Sequence, residues 1–95
     1  MSNIAGYQYK HLTASGVVSV NPQAVLHTIT CNNVVATAVI TVADSPTAAT
    51  TPAIAIITGP TGGTVGATLL YDLQVNNGIY ITIATAAADI TVTFK

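Results

Sequence analysis

The amino-acid sequence predicts an all-β protein, an antiparallel β-sandwich or a jelly-roll-like barrel of about eight short strands. Apolar and polar residues alternate with a period of two, as in strands that bury one face. Thr, Ala, Val and Ile make up 52 of the 95 residues, and β-branched residues favour extended structure. Turn signals recur roughly every 8–12 residues, and no segment keeps a helical period. The pattern leaves jelly-roll and immunoglobulin-like strand orders open.

Turn and loop signals divide the chain into these strands. Ser15–Gly16 and Asn21–Pro22 bound a short second strand, and Asn32–Asn33 is predicted to turn the chain after the third. Asp44–Pro52, which contains two prolines and no bulky apolar residue, and the glycine-rich Gly59–Gly66 are predicted loops. The predicted strands are residues 7–11, 17–20, 25–31, 36–42, 53–58, 69–75, 79–83 and 90–94.

Alternation assigns faces to the central strands. The fourth strand is apolar on both faces, so it is central in its sheet or covered on both sides. In the third strand, the face shared by apolar residues is predicted to hold Val25, His27, Ile29 and Cys31, with Thr28 and Thr30 opposite. His27 is therefore expected to be a hydrogen-bonded core histidine rather than a ligand.

Asn77–Gly78 lies between the sixth and seventh predicted strands. Such a dipeptide between alternating runs is the strongest short-range hairpin signal, because both residues tolerate a positive φ. We therefore expect these two strands to pair. The predicted inward residues of the last three strands are Leu69, Tyr71, Leu73, Val75, Ile79, Ile81, Ile83, Ile90, Val92 and Phe94, with Asp89, Thr91, Thr93 and Lys95 outward.

The length fits one domain. We expect an N-terminal arm over residues 1–6 and a single β-sandwich domain over residues 7–95. The arm lacks a basic segment followed by an apolar one, so no signal peptide is expected. The single Cys31 cannot form an internal disulfide. An intermolecular bridge is the alternative to a small buried apolar side chain.

Charged side chains are rare in this sequence. They make up 5% of the residues, against roughly 25% in average globular proteins. The five are Lys10, Asp44, Asp72, Asp89 and Lys95, with a net charge of −1. Nucleic acids and anionic membranes are held by clusters of Lys and Arg, which this chain lacks. We therefore expect no nucleic-acid and no membrane partner.

No catalytic, metal-binding or cofactor-binding residue is predicted. Gly59–Gly66 lacks the Lys that a phosphate-binding loop needs, and a strand follows it instead of a helix. No two His, Cys or Asp residues have ligand spacing such as HxH or CxxC. No GxSxG segment provides an exposed nucleophile. The sequence therefore favours a protein that is not an enzyme and needs no cofactor.

The predicted outward faces carry Thr, Ser, Asn, Gln and Ala. Free β-domains usually guard their edges against pairing with other strands by charge, especially Lys. Either neighbouring subunits cover the edges of this domain, or short, bent, Thr-rich edges are enough to prevent such pairing. We favour coverage, because interface cores are depleted in charge. The candidate interface residues are Ile4 in the arm and Tyr7, Tyr9 and His11 on one face of the first strand. Ordinary packing is the alternative reading for His11.

Three segments carry a family resemblance. They are YQYKHLTASGVVSV (Tyr7–Val20), VLHTITCNN (Val25–Asn33) and NNGIYITIATAAADITVTFK (Asn76–Lys95). The last resembles small virion proteins of tailed bacteriophages, in which an NG-L/I-Y return strand precedes a final D-I/V-T-V strand. The matching residues here are Asn77, Gly78, Ile79 and Tyr80, then Asp89, Ile90, Thr91 and Val92.

The resemblance implies a structural protein on a phage particle, made in the host cytoplasm, with no catalytic residues. The expected role is that of a capsid decoration or cement protein. It would self-associate, with a homotrimer expected, and bind the major capsid protein on the capsid surface to stabilise the head. The alternative is a tail or fibre component, or a receptor-binding module that contacts a glycan or the host surface.

Overall fold

Within residues 6–59, 62–63 and 65–95, which the computed structural model describes, the chain forms eight β-strands and no helix. The predicted all-β class is confirmed. The strands are β1 (Gln8–Leu12), β2 (Gly16–Ser19), β3 (Val25–Val34), β4 (Val39–Ala43), β5 (Ala53–Thr58), β6 (Ala67–Gln74), β7 (Ile79–Ala84) and β8 (Ala88–Phe94). These residues include no helix long and apolar enough to cross a membrane.

The strands pair antiparallel in two four-stranded sheets. Sheet A has the order β1-β8-β3-β6, and sheet B has the order β2-β7-β4-β5. β1 pairs with β8, β2 with β7, β3 with β6 and β4 with β5, as in one long hairpin wound around itself. The β3–β8 and β4–β7 pairings complete the sheets. This order is that of a jelly roll, and it decides between the two orders that the sequence left open.

The core fills the space between the two sheets. The accessible surface of the chain is 5079 Å², close to the roughly 5,100 Å² expected of a compact monomer of this mass. The chain therefore buries its core without help from another subunit. The largest fully buried side chains are Leu26, Ile29, Ile40, Ile79, Ile81 and Ile90.

The predicted faces of β4 and β8 are confirmed. β4 lies between β7 and β5, the central position that its two apolar faces predicted. Ile40 and Val42 are fully buried, whereas Val39 and Thr41 on the opposite face are half-buried. In β8, every second residue from Ala88 onward is buried.

β3 contains a bulge that the alternation did not predict. Its register against both β6 and β8 shifts between Leu26 and Thr28. A bulge advances the alternation of side chains by one residue, so Leu26 is fully buried and joins Ile29 in the core. The predicted common face of Val25, His27, Ile29 and Cys31 is therefore wrong. His27 leaves that face and contacts Tyr7 and Asp72.

A second bulge lies near the end of the same strand. The register of β3 against β8 shifts again between Cys31 and Asn33. The predicted turn at Asn32–Asn33 is wrong, because β3 continues through both residues to Val34. The polar pair is accommodated inside a strand because the bulge leaves Asn32 and Asn33 exposed.

The connection through Asn77–Gly78 crosses between the sheets. β6 belongs to sheet A and β7 to sheet B, so the predicted hairpin is wrong. β5, which ends at Thr58, and β6, which begins at Ala67, likewise belong to different sheets. The predicted loop Gly59–Gly66 between them lies partly outside the described residues. Apolar and polar residues alternate in the same way in two strands joined by a hairpin turn and in two strands joined by a loop that crosses between sheets. The sequence alone therefore does not distinguish the two connections. Among the strands described, the consecutive pair that does form a hairpin is β4–β5.

Asp44 holds the crossing from β6 to β7. Its carboxylate accepts backbone hydrogen bonds from Asn76 at 3.0 Å, Asn77 at 2.7 Å and Gly78 at 3.2 Å. Burial by itself raises the pKa of Asp44, but these N–H donors outweigh it and hold the pKa below its ordinary value. The buried carboxylate thus satisfies three N–H groups that leave the strand ladder between the sheets.

Gly78 brings three backbone segments into close contact. A Cβ atom at this position would lie 2.7 Å from the carbonyl oxygen of Ser19, at the end of β2. It would also lie 2.8 Å from the backbone of Pro46, in the loop after β4. Only glycine leaves room for this approach.

Replacing Asp44 by Asn is expected to lower the free energy of unfolding at neutral pH by about 2 kcal/mol or more. A carboxylate whose pKa falls on folding stabilises the protein above its unfolded-state pKa of about 3.9, and this stabilisation is lost as the pH falls through the lower folded-state pKa. Urea unfolding between about pH 7 and about pH 2 measures both effects. The Asp44→Asn variant should lose less stability on acidification, and an unchanged acid dependence would contradict the role of Asp44.

Replacing Gly78 by Ala is expected to lower the free energy of unfolding by about 2–3 kcal/mol, because the added Cβ meets backbone on two sides. Gly66→Ala is the control. There the added Cβ meets nothing within 4 Å, although φ is +77°, so only the backbone strain of about 1 kcal/mol is expected. Equal losses in urea unfolding for the two variants would show that the close approach at Gly78 is unimportant.

Candidate interaction surface

The two sheets differ sharply in charge. Lys10, Asp72 and Asp89 lie on strands of sheet A, and Lys95 directly follows β8. The fifth charged residue, Asp44, is buried at the crossing. No strand of sheet B contains a charged residue, histidine, asparagine or glutamine. Four of the five charged residues therefore lie on strands of sheet A or directly after β8, and none lies on a strand of sheet B.

His11, Asp89 and Asn32 form a hydrogen-bonded cluster on the outer face of sheet A. The His11 Nε2 atom lies 2.5 Å from Asp89 Oδ1. The Asn32 amide donates to Asp89 Oδ1 and to Thr91 Oγ1, each at 3.0 Å. Donation from Asn32 and from His11 holds the pKa of Asp89 below its ordinary value. Sequence reasoning missed Asn32 because it placed this residue in a turn.

A second cluster surrounds the ring of Tyr7. This ring stacks on His27 with 4.1 Å between ring centroids and 16° between planes. The Lys95 ammonium lies 4.7 Å from the Tyr7 ring centroid, in cation–π geometry. His27 Nδ1 in turn contacts Asp72 Oδ1. The bulge in β3 makes this cluster, since it turns His27 away from the core face.

Threonine hydroxyls bridge the strands between the two clusters. Thr28 on β3 bonds to Thr93 on β8 with 2.5 Å between the hydroxyl oxygens. Thr30 bonds to Thr68 on β6 at 3.1 Å. Cross-strand Thr pairs of this kind stabilise a sheet. The outer face of sheet A is therefore a network in which polar groups already bind one another.

The residues that the sequence singled out as an interface lie partly on this face. Tyr9 and His11 are on β1, and Tyr9 is 74% exposed. Tyr7 precedes β1 and packs on His27. Ile4 lies outside the described residues. That another chain binds these residues stays a prediction.

The outer face of sheet B is built from apolar and threonine side chains, together with Tyr80 on β7. Ile40 and Val42 point into the core, so Val39 and Thr41 point outward. Thr41 lies opposite Ile56 on β5 and opposite Thr82 on β7. The signal that could have revealed this face is the lack of charge in VITVA, AIAIIT and IYITIA, but it required knowing that these strands form one sheet.

No enclosed chemical site emerges from the described residues. An open cleft of about 390 Å³ is lined by Pro22, Gln23, Gln74, Val75 and Asn76, none of which titrates near neutral pH. Within residues 6–59, 62–63 and 65–95, no group of three or more His, Cys, Asp or Glu side chains could hold a metal ion. The broad sheet faces are thus the candidate interaction surface.

No protein-family model, no curated protein and no solved structure matches the chain. The jelly-roll assignment therefore rests on the strand order, and the resemblance to phage virion proteins stays a prediction. Fold and surface together define a small jelly-roll protein with one charged, internally bonded face and one uncharged face.

Cys31 is expected to be unreactive in the folded protein. It is buried between the sheets, and burial raises the pKa of its thiol, so the reactive thiolate is scarce. A disulfide-exchange reagent at about pH 8 should label Cys31 at the rate of global unfolding, and fully in urea. Rapid labelling of the native protein would contradict the burial, and would revive the intermolecular bridge that the sequence left open.

Proposed function

We propose that this chain is a structural protein of a tailed-phage virion that decorates the capsid. In this proposal many copies self-associate and bind the major capsid protein on the capsid surface, and their contacts stabilise the head. The single observation that carries the proposal is the uncharged outer face of sheet B on a chain with five charged residues.

The physical argument begins with desolvation. An uncharged face of Val, Ile, Ala and Thr, with the single phenol of Tyr80, loses less hydration free energy than a charged face when another protein surface covers it, whereas buried unpaired charges are costly. Interface cores are depleted in charge for this reason. A protein whose sheet face remained exposed to solvent would gain solubility from charged residues on that face. The face of sheet B therefore suits permanent coverage.

A capsid lattice makes weak contacts effective. Each subunit of this size offers a modest area, but neighbours on a lattice raise the effective concentration of every further contact. Binding to the assembled capsid and not to its separated subunits also stabilises the assembled state by mass action. These two effects explain how a 9.6 kDa chain without covalent links could strengthen a head.

A second candidate function is supported by the exposed ring of Tyr9. Aromatic rings stack on sugars, and polar groups such as those of His11, Asn32 and Asp89 could bind their hydroxyls. This arrangement favours a tail or fibre component, or a receptor-binding module. Copy number distinguishes the two proposals, since a few copies per particle favour receptor binding and hundreds favour decoration.

The decoration proposal is tested by binding purified protein to capsids that lack it, from the phage that encodes the chain. Thr41→Lys places a charge at the centre of the outer face of sheet B and is expected to weaken binding about tenfold or more. The matched control is Thr91→Lys, at a central strand of sheet A, which should bind normally. Thermal unfolding of each variant excludes a folding defect.

Failure of the wild-type protein to bind capsids would overturn the decoration proposal. Equal weakening by Thr41→Lys and Thr91→Lys would overturn the assignment of the uncharged face as the contact. A third protein that lacks residues 1–6 tests the predicted N-terminal contact, and equal binding by this truncated form would exclude a role for the arm.

A further inference from the structure

Asn77 combines a reactive sequence with a restrained position in the fold. An asparagine that precedes glycine is especially prone to lose its side-chain amide, because glycine has no Cβ atom to hinder attack by its own backbone nitrogen. Asn77 is exposed, whereas Gly78 is buried. The side chain that would react is therefore open to water, and the nitrogen that would attack it lies inside the crossing from β6 to β7.

The reaction uses only this chain and water. The Gly78 nitrogen attacks the Asn77 Cγ atom, a new N–Cγ bond forms, and the Cγ–Nδ2 bond breaks. The side-chain amide group leaves with the Gly78 proton as ammonia. Water then adds to either carbonyl of the cyclic imide and opens it to aspartate or isoaspartate. The net change replaces one amide by a carboxyl group, and nothing is oxidised or reduced.

Ring closure requires the backbone around Asn77 to move. The Gly78 nitrogen must leave the plane of its peptide bond to reach Cγ, which costs the resonance that keeps the peptide flat. It must also lose its proton, so its N–H group has to leave any acceptor that holds it. Whether the reaction occurs in the folded protein therefore depends on what restrains these two residues.

Asp44 restrains both peptide groups that flank the Asn77 Cα atom. Its Oδ1 atom accepts the Asn77 N–H at 2.7 Å and the Gly78 N–H at 3.2 Å. Rotation about the backbone bonds of Asn77 would break one of these bonds and leave a buried carboxylate short of a donor. Burial acts to raise the pKa of Asp44, but its backbone donors hold that pKa below the ordinary value, so the carboxylate is a poor base for removing the proton.

The surroundings of Gly78 oppose the same movement. A Cβ atom here would lie 2.7 Å from the carbonyl oxygen of Ser19 and 2.8 Å from the backbone of Pro46, so two other segments pack against this residue. The Gly78 nitrogen reaches Cγ only when these segments separate and the crossing opens. A reaction that proceeds through an open form is slowed in proportion to the population of that form.

We propose that Asn77 is a deamidation site that the native fold holds closed through Asp44, so that only chains with an open crossing are modified there. This proposal does not depend on the proposed function. It makes the crossing a point at which folded copies keep their amide and copies that stay open lose it.

The modified chain is expected to rebuild the crossing less well. In the native protein the Asn77 side-chain amide donates to the backbone carbonyl of Asp44 at 3.5 Å. An aspartate at this position has no such donor and brings a second negative charge close to the buried carboxylate. An isoaspartate lengthens the main chain between the two N–H groups that Asp44 binds. Either product therefore weakens the contact that closes the crossing.

Peptide mass spectrometry of the full chain measures the modification. Native protein and protein unfolded in guanidinium chloride are incubated at about pH 8 and then digested with chymotrypsin. Asn77 should be modified at least about 100-fold more slowly in the native protein. Asn76 lies in the same peptide and precedes a residue that has a side chain. It is the internal control, and in denaturant it should react more slowly than Asn77.

Asp44→Asn tests whether the carboxylate itself closes the site. Its matched control is Val92→Ala, which removes fully buried atoms from β8 and leaves Asp44 in place. Each variant is incubated at the guanidinium concentration that gives the same free energy of unfolding, so that modification through global unfolding is equal in both. Asn77 should then react about tenfold or more faster in Asp44→Asn, because its crossing opens locally.

Asn77→Asp tests the effect of the product on the fold. Its midpoint of urea unfolding is expected to fall below that of the wild-type protein. The control is Asn21→Asp. The Asn21 Oδ1 atom accepts a hydrogen bond from the Gln23 N–H at 2.9 Å, and aspartate keeps that acceptor, so the midpoint should not fall.

Four results would overturn the proposal. The first two are an Asn77 that is not modified in denaturant and an Asn77 that is modified equally fast in the native and the unfolded protein. The third is an equal rate in Asp44→Asn and Val92→Ala at matched stability. The fourth is an Asn77→Asp variant as stable as the wild-type protein. The comparison of native and unfolded wild-type protein decides the matter even where Asp44→Asn does not fold.

Discussion

The carboxylate of Asp44 is the interaction on which the rest of the fold depends. Asp44 directly follows β4, an inner strand of sheet B. Its carboxylate accepts hydrogen bonds from Asn76, Asn77 and Gly78, where the chain arrives from sheet A to start β7. β4 and β7 are neighbours. Asp44 therefore fixes the point at which the incoming chain must join its partner strand, and Gly78 lets the backbones approach closely enough for it to do so.

The winding of the chain explains the separation of charge. Because β1 pairs with β8 and β3 with β6, the strands that carry Lys10, Asp72 and Asp89 all enter sheet A. The strands between them enter sheet B and bring no charge. A chain whose charges look scattered along the sequence thus folds into a molecule with one uncharged face, and that face supports the proposal of a covered virion subunit.

The two bulges in β3 explain the chemistry of the other face. A strict alternation would direct His27 into the core, whereas the first bulge brings it to Tyr7 and Asp72. The second bulge keeps Asn32 in the strand, where it reaches Asp89. A bulge is set by the register between strands that are far apart in sequence, so the alternation within one strand does not reveal it.

The sequence by itself determined the all-β class, eight strands, and the inward faces of β4 and β8, because alternation and turn chemistry are local properties. Only the tertiary structure decided the jelly-roll order, the crossing at Asn77–Gly78 and the role of Asp44. These depend on which distant strands pair, and a loop that crosses between sheets has the same local pattern as a hairpin. The candidate surface follows the same division: the scarcity of charge is visible in the sequence, and its confinement to one sheet required the strand order.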